Sequence, residues 1–341
     1  MSKTNLCGLT VDDICGMIRT DGFEYRHAVA IAGIIYKKGG AGLEETSGIP
    51  KRLVVFLKDV AQTGIFKPSA FETSVDGTSK FLFNTDDGKQ FETVFIPDGK
   101  RNTVCVSTQS GCRMGCPFCV TGKYGFHGNL TAGDIVNQII SIPCAGKITH
   151  VVFMGMGEPL DNLDNVLKAC NITTAEWGLA LSPRNITVSS VGITPAIKEF
   201  LKRSACNLTV SLYSPFADER LRVIPAEKVY PVGEIIRIMK AYPLEKKRRL
   251  SVAYVMIDRV NDTNRHLDEL IIMLKGTGIR VNLLPYHHVK NDMNRPSPDD
   301  RMMFFKHNLI ISGVSASVRR SRGADISAAC GLLASQLNKT R

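Results

Sequence analysis

Three cysteines, Cys112, Cys116 and Cys119, stand in the run Gly111-Cys112-Arg113-Met114-Gly115-Cys116-Pro117-Phe118-Cys119. The spacing is C-x3-C-x2-C, with an aromatic residue directly before the last cysteine. A [4Fe–4S] cluster takes four ligands, normally thiolates. Three protein thiolates hold such a cluster and leave one iron open to a small molecule. Structural zinc is the alternative, because three close cysteines can bind it with a fourth ligand from elsewhere. Zinc sites usually show C-x2-C pairs, and no second pair follows here, which favours the cluster. Cys144, Cys170 and Cys206 are isolated and read as small core residues.

Two further stretches carry possible chemistry. Gly155-Met156-Gly157-Glu158-Pro159 offers glycines that let the backbone approach a ligand, and a carboxylate that can accept from an ammonium group. Its plainer reading is a glycine turn with an exposed carboxylate. The tail Gly323-Ala324-Asp325-Ile326-Ser327-Ala328-Ala329-Cys330-Gly331 sets a cysteine among small residues, so its sulfur could reach into a crowded cleft. The plainer reading there is a buried cysteine at a helix start. Cys105, seven residues before Cys112, faces either the cluster mouth or the core.

The elements that must position these residues can be read from patterning. Residues from about 9 to 64 suit a small helical module, with Thr10 capping one helix, Tyr25 to Tyr36 a second, and Pro50 opening a third over Lys51 to Val60. Lys80-Phe81-Leu82-Phe83 and Phe91 to Ile96 read as strands, with Asp76-Gly77 and Asp87-Gly88 as turns, giving a short β meander. From about residue 102 strands and helices alternate. Candidate strands are Thr103–Thr108, His150–Met154, Asn185–Ser189, Asn207–Leu212, Leu250–Met256 and Arg280–Pro285, followed by a last strand, Val314–Arg319. Helices between them include Ala132–Ile142, Asn162–Asn171, Thr194–Lys202, Val232–Ala241 and Asn264–Lys275. Regular βα alternation argues for a parallel sheet, here an α/β partial barrel of six βα units, with functional loops at the strand C-terminal ends. The cysteine loop follows the first of these strands, and Ser189 and Ser211 fall at the same rim. The expected division is 1–65 helical accessory domain, 66–100 β meander linker, 101–322 partial barrel, and 323–341 tail.

The chain has 341 residues and is 44% hydrophobic, enough for a full core. Its net charge of +11 favours a polyanionic partner and excludes no sequence preference. The run Lys246-Lys247-Arg248-Arg249 reads as a solvated loop before a strand. Ten cysteines without a secretory start point to metal or redox chemistry in a reducing compartment, and no apolar run has spanning length, so the expectation is a cytoplasmic protein with no membrane contact.

Together these stretches resemble the RlmN/Cfr family of radical SAM RNA adenosine methylases. The matching residues are Glu92-Thr93-Val94, Cys105 to Cys112, Gly155 to Pro159, Ile186-Thr187-Val188-Ser189, Val210-Ser211-Leu212, and Asp325 to Gly331, spread over roughly residues 10 to 335. The resemblance implies a radical SAM barrel with a [4Fe–4S] cluster on Cys112, Cys116 and Cys119, and S-adenosylmethionine (SAM) on the open iron. It implies two SAM per turnover. One methylates the cysteine matching Cys330, and the other yields an adenosyl radical that takes a hydrogen atom from that methyl group. The resulting radical adds to the adenine ring. Glu92 matches the base that removes the ring proton. The cysteine matching Cys105 then attacks the Cys330 sulfur, releasing methylated RNA and leaving a transient disulfide. Gly157, Glu158, Ser189, Ser211, Leu212, Tyr213 and His287 map onto SAM contacts.

Three residues depart from the pattern: Tyr213 where many members have histidine, His287 where asparagine is usual, and Leu332 where glutamine is common. RlmN-type members methylate C2 of an adenosine in 23S rRNA, and some also act on tRNA; Cfr-type members methylate C8 and confer antibiotic resistance. Pro159 after Glu158 favours the RlmN type. The implied partners are RNA, bound by the basic helical module, and an electron donor such as flavodoxin or ferredoxin, with the chain a monomer. The rival readings are a radical SAM activating enzyme, which would need neither Cys105 nor Cys330, and a zinc-containing RNA-binding protein.

Overall fold

The computed structural model describes residues 3–41, 43, 48–243, 248–287 and 293–333. Lys246 and Lys247 of the basic run lie outside the described residues. The chain opens with a short strand β1 (Thr4–Asn5) and helices α1 (Val11–Arg19), α2 (Tyr25–Lys37) and α3 (Lys51–Val60), and β2 (Ala61–Gln62) pairs parallel with β1. Helix α1 starts where Thr10 Oγ1 accepts from Asp13 N at 3.2 Å and Asp13 Oδ2 accepts from Thr10 N at 2.8 Å, a reciprocal cap.

Strands β3 (Ala70–Thr73), β4 (Ser79–Asn84) and β5 (Gln90–Asp98) form the expected meander. It is continuous with the main sheet, because β5 pairs antiparallel with β6 (Arg101–Cys105). A hairpin of β7 (Gln109–Gly111) and β8 (Phe126–Asn129) encloses the cysteine loop and the short helix α4 (Val120–Tyr124). Then come α5 (Ala132–Ile140), β9 (His150–Phe153), α6 (Leu163–Thr174), β10 (Ile186–Ser190), α7 (Thr194–Arg203), β11 (Asn207–Ser211), α8 (Ala217–Val223) and α9 (Val232–Ala241). The last elements are β12 (Leu250–Met256), α10 (Asn264–Leu274), β13 (Arg280–Pro285), α11 (Asp299–Ile311) and β14 (Ala316–Val318). The sheet order is β14-β13-β12-β11-β10-β9-β6-β5-β4-β3, parallel from β6 to β14 and antiparallel beyond β6. The six expected parallel strands are all present, and the expected last strand adds a seventh. Helix α5 stops at Ile140, short of the expected Ile142.

Alternation along each strand writes two faces. Ile186 and Val188 of β10 are fully buried against the helices, while Thr187 and Ser189 turn to the concave side. The same split gives Val104 and Val151 to the outer core and Thr209 to the concave face, where its hydroxyl bonds Ser251 Oγ at 2.7 Å. The helical module is tied to the barrel by Lys168 Nζ–Asp13 Oδ2 at 2.7 Å, and the segment that follows it by Asn137, whose side chain accepts from Phe66 N at 3.1 Å and donates to Phe66 O at 2.8 Å.

Gln138 on α5 braces the start of the cysteine hairpin. Its Oε1 accepts from Ser107 N at 2.8 Å and Thr93 Oγ1 at 2.6 Å, and its Nε2 donates to Ser107 O at 2.9 Å, all buried. Gln138→Leu should therefore orphan buried backbone groups and cost about 1–3 kcal/mol for each left unpaired. A urea titration of the purified variant checks this; an unchanged midpoint would show that the brace contributes nothing.

Candidate active site

The loops after the parallel strands meet in a cavity of about 210 Å³. Its walls include Cys112, Cys116 and Cys119, then Gly157 and Glu158, and on the far side Cys330. Ser189, Ser211 and His287 also line it. Ser189 lies within β10 rather than after it, and its hydroxyl donates to Phe153 O at 3.0 Å. Leu212 and Tyr213 do not reach the cavity. Leu212 is buried in the main core, and Tyr213 stacks on Phe118 of the cysteine loop with ring centroids 6.0 Å apart. Tyr213 adopts a left-handed backbone (φ 62°), held where its carbonyl accepts from Asn261 Nδ2 at 2.8 Å.

The cysteine loop is fixed from both sides. Cys112 N donates to Gly125 O at 2.8 Å, and Arg113 Nε pairs with Asp161 Oδ2 at 2.8 Å while its guanidinium covers the Phe126 ring. Burial pushes the Cys112 and Cys116 thiols up to about 12, and the neighbouring cysteines add to this. Among the described residues no three His, Cys, Asp or Glu side chains close on a single metal-ion position. Three thiols around one cavity, rather than around one point, fit a cluster whose ligands sit on separate irons. The donor set thus matches an iron–sulfur cluster better than a zinc ion.

The glycine loop lies directly on the chain leaving β6. A Cβ at Gly155 would stand 2.7 Å from Ser107 Oγ, and one at Gly157 would stand 2.6 Å from Gln109 Cβ, at a positive φ of 98°. This approach is stitched by Gly155 N donating to Val106 O, Thr108 N to Met156 O and Glu158 N to Gln109 Oε1 at 2.9 Å. Glu158 is buried, and its two oxygens accept from Leu160 N at 2.9 Å and Val191 N at 2.8 Å. Burial outweighs those donors and lifts its pKa to about 7. With the Ser190 hydroxyl as a third donor, one of its four lone-pair positions remains for a ligand.

Cys105 ends β6 on the concave face, buried, with Cys330 close enough to raise its thiol pKa further beyond what burial does. Cys330 itself is open to the cavity, though surrounding protein pushes its thiol up as well, followed by Cys119. Glu92 lies two residues before Val94 on β5, and Val94 is opposite Cys105, so alternation puts it on the same concave row. It is fully buried outside the cavity wall, with Lys80 Nζ 3.9 Å from its Oε1.

The tail that carries Cys330 is a run of turns, not a helix start. Ser74 Oγ donates to Asp325 Oδ1 at 2.7 Å, and Gly323 N donates to Asp76 Oδ2 at 3.0 Å, tying the tail to the β3–β4 turn. On its other side Val120 N donates to Gly331 O at 2.8 Å and Thr121 Oγ1 to Leu333 O at 2.6 Å. The methyl-carrier candidate is therefore strung between the meander and the cysteine loop. Leu332 lines the cavity beside it.

Sequence reading missed the groups that hold this rim. Arg220 is fully buried, pairs with Glu227, and donates to Leu212 O at 3.1 Å, Ser211 O at 3.1 Å and Val191 O, so one guanidinium fixes the ends of β10 and β11. In the sequence Arg220 looks like one more charge in the run Asp218-Glu219-Arg220; Glu227, seven residues on, was the available signal. Gln109 joins Glu158, Asn129 and Asp161, and only its place beside Ser110-Gly111 hinted at that.

The Radical SAM superfamily model matches residues 106–274 of this chain. A probable dual-specificity RNA methyltransferase RlmN of Parabacteroides distasonis is 42% identical, over 100% of this chain and 99% of its own length. The dual-specificity RNA methyltransferase RlmN of Geobacter sulfurreducens is 36% identical over 97% of this chain and 92% of its own. The crystal structure of a radical SAM methyltransferase from Sphaerobacter thermophilus superposes with a TM-score of 0.88 at 35% identity, covering 96% and 98% of the two chains.

The clamp on the tail makes a structural prediction. Asp325→Ala removes the acceptor for Ser74 and leaves the barrel core untouched. Amide hydrogen exchange should speed up over residues 323–331 and stay as in wild type in the sheet. Exchange unchanged across the tail would show that the clamp does not hold it.

Proposed function

The chain belongs to the RlmN family of radical SAM methyltransferases, and from that premise we propose that it methylates C2 of an adenosine in 23S rRNA, with tRNA as a second substrate, through a methylated Cys330. The observation that carries this reading is the cavity shared by Cys112, Cys116, Cys119 and Cys330, with Cys105 buried beside the last. An activating enzyme or a zinc-containing RNA-binding protein has no use for that second pair of thiols. Glu158-Pro159 and the RlmN relatives favour C2 over the C8 alternative.

Ring carbon C2 of adenine is electron-poor and does not act as a nucleophile, so direct methyl displacement is closed to it. The cluster and SAM, when bound, supply a radical that removes a hydrogen atom from a methyl group. Cys112, Cys116 and Cys119 would hold three irons. Gly157, Glu158, Ser189, Ser211 and His287 would receive SAM, with the carboxylate of Glu158 facing its ammonium group. Leu212 and Tyr213 would shape that pocket from behind, Tyr213 by backing Phe118. Cys330 would hold the methyl carbon over the base, and Glu92, buried behind the cavity wall, would take the ring proton. Cys105 then attacks the Cys330 sulfur: an S–S bond forms, the S–C bond breaks, and the departing carbon keeps the electron pair and takes a proton. Two SAM per turnover, a one-electron donor of the flavodoxin or ferredoxin class, a monomeric chain, an RNA-recruiting helical module at residues 1–65 and a cytoplasmic site of action complete the proposal. No helix among the described residues is long and apolar enough to cross a membrane.

Nucleoside mass spectrometry after anaerobic incubation of reconstituted protein with 23S rRNA should show 2-methyladenosine. Cys112→Ala should lose iron and product together. Cys330→Ala should keep its iron and make no product, and retained turnover there would overturn the carrier assignment. Cys105→Ala should stall with RNA covalently bound through Cys330, seen as a band that survives denaturant.

A further inference from the structure

Alternation along the strands fixes which residues share the concave face below the cavity. Ala253 on β12 and Leu284 on β13 line the cavity wall. Stepping back two residues at a time reaches Ser251 and, directly before the first strand, Arg249, and Asn282 and Arg280 on the second. On β6 the same steps from Cys105 reach Thr103 and Arg101, and on β9 from Met154 they reach Val152 and His150. On β14, Ser317 Oγ donates to Asn282 Oδ1 at 3.0 Å, which puts Arg319, two residues on, over the same face. Arginines from β6, from the start of β12 and from the end of the edge strand β14 thus gather on one concave surface, with Thr103, Ser251, Asn282 and Ser317 among them.

No carboxylate among the described residues neutralises them. Asp98, opposite Arg101 in the register, is taken by Arg322 at 3.3 Å. Among the described residues, Arg101, Arg249 and Arg319 make no side-chain ion pair. All three are exposed. Surrounding protein, then the charges of Arg101 and Arg249, lower the pKa of Arg319, and Cys330 acts on it in the opposite direction. Arg319 therefore sits within electrostatic reach both of the other two arginines and of the thiol in the cavity. Unrelieved like charge on a concave face concentrates an anion there.

We propose that Arg101, Arg249 and Arg319 form a phosphodiester subsite that grips the RNA backbone beside the target adenosine while its base lies in the cavity at Cys330. This rests on the function proposed above and adds where the substrate strand runs. The guanidinium fork matches a phosphate bidentately, and a phosphodiester is the one anion that every nucleotide brings alongside its base. A base that reacts inside a cavity must leave its stack, and fixed phosphates next to it hold the extruded nucleotide in register. Thr103, Thr187 and Asn282, between the arginines and the cavity, offer hydroxyl and amide partners at the level of the sugar.

The test uses the full-length, cluster-reconstituted protein and transcribed 23S rRNA, measuring affinity against salt and KM for RNA. Arg249→Gln/Arg319→Gln should flatten the slope of log K against log salt by about 0.7 to 0.9 for each phosphate that is no longer neutralised. Its KM should rise about ten-fold or more. Arg249→Lys/Arg319→Lys, which keeps both charges, should hold the wild-type slope. Lys198→Gln, an exposed charge on the outer helix α7, should change neither quantity. A wild-type slope and KM in the double glutamine variant, with wild-type protein active, would overturn the subsite alone. If wild-type protein makes no methyladenosine, the proposed function falls, and the subsite with it.

Discussion

The site depends on how four residues leave the sheet. Val106 to Gln109 continue β6 past its last ladder partner, and their backbone groups must be paired because the segment is buried. Ser107 is met by Gln138 from the helix side, while its hydroxyl donates to Glu92 O at 2.5 Å and accepts from Met156 N at 2.8 Å. Gln109 meets Glu158 and Asp161. One stretch of backbone therefore sets the height of the glycine loop, the exit of the cysteine hairpin and the strand that bears Glu92. The glycines at 155 and 157 are a consequence: any side chain would wedge the two loops apart.

From that anchor the remaining parts are held by long-range polar contacts rather than by local chain preference. Arg220 gathers three carbonyls at the ends of β10 and β11, and Asn261 gathers two more together with Ile257 N. Each is a buried polar group fully engaged, so the rim has one arrangement rather than several. Rigid walls suit a cavity in which Cys105 and the cysteine loop keep fixed spacing. The tail differs in kind. Its ties to Ser74 and Asp76 are only part-buried, and such bonds open more readily than fully buried ones. If Cys330 carries the methyl group as proposed, a thiol that meets first one reactant and then another would benefit from that difference.

What the sequence disclosed follows from how far each contact reaches along the chain. The cysteine loop, the glycine loop and the strand alternation are local, and spacing alone marks them. The meander was legible too, though not that it extends the barrel sheet, since the β5–β6 turn at Gly99-Lys100 gives no sign that β9 will pair on the other side. Arg220–Glu227 and Asp325–Ser74 were not legible. Both look like surface charge until folding joins positions that have no pattern in common. Tyr213 and Leu212 matched a motif for ligand contact, yet the end of β11 turns Leu212 into the core and rests Tyr213 on Phe118. A motif fixes residue identity along a strand end, while the sheet's alternation decides which of them faces inward.

The same alternation divides labour across the sheet. Its outer face presents Val, Ile, Leu and Phe to the helices, where area removed from water stabilises the fold. Its concave face carries Thr, Ser, Asn and Arg among the apolar residues that line the cavity, groups too polar to form a core. A shift of one residue in register would exchange the two sets, burying arginine and exposing valine, so the hydrophobic packing that fixes the fold also fixes the charged surface. Arg319 makes the link concrete. It follows β14 directly, four residues before the tail begins, and Cys330 lies in its field from eleven residues further on. The strand end that would hold the RNA backbone is thus the root of the segment that would present the thiol to the base. Substrate grip and carrier position share one short stretch of chain, and neither can move far without the other.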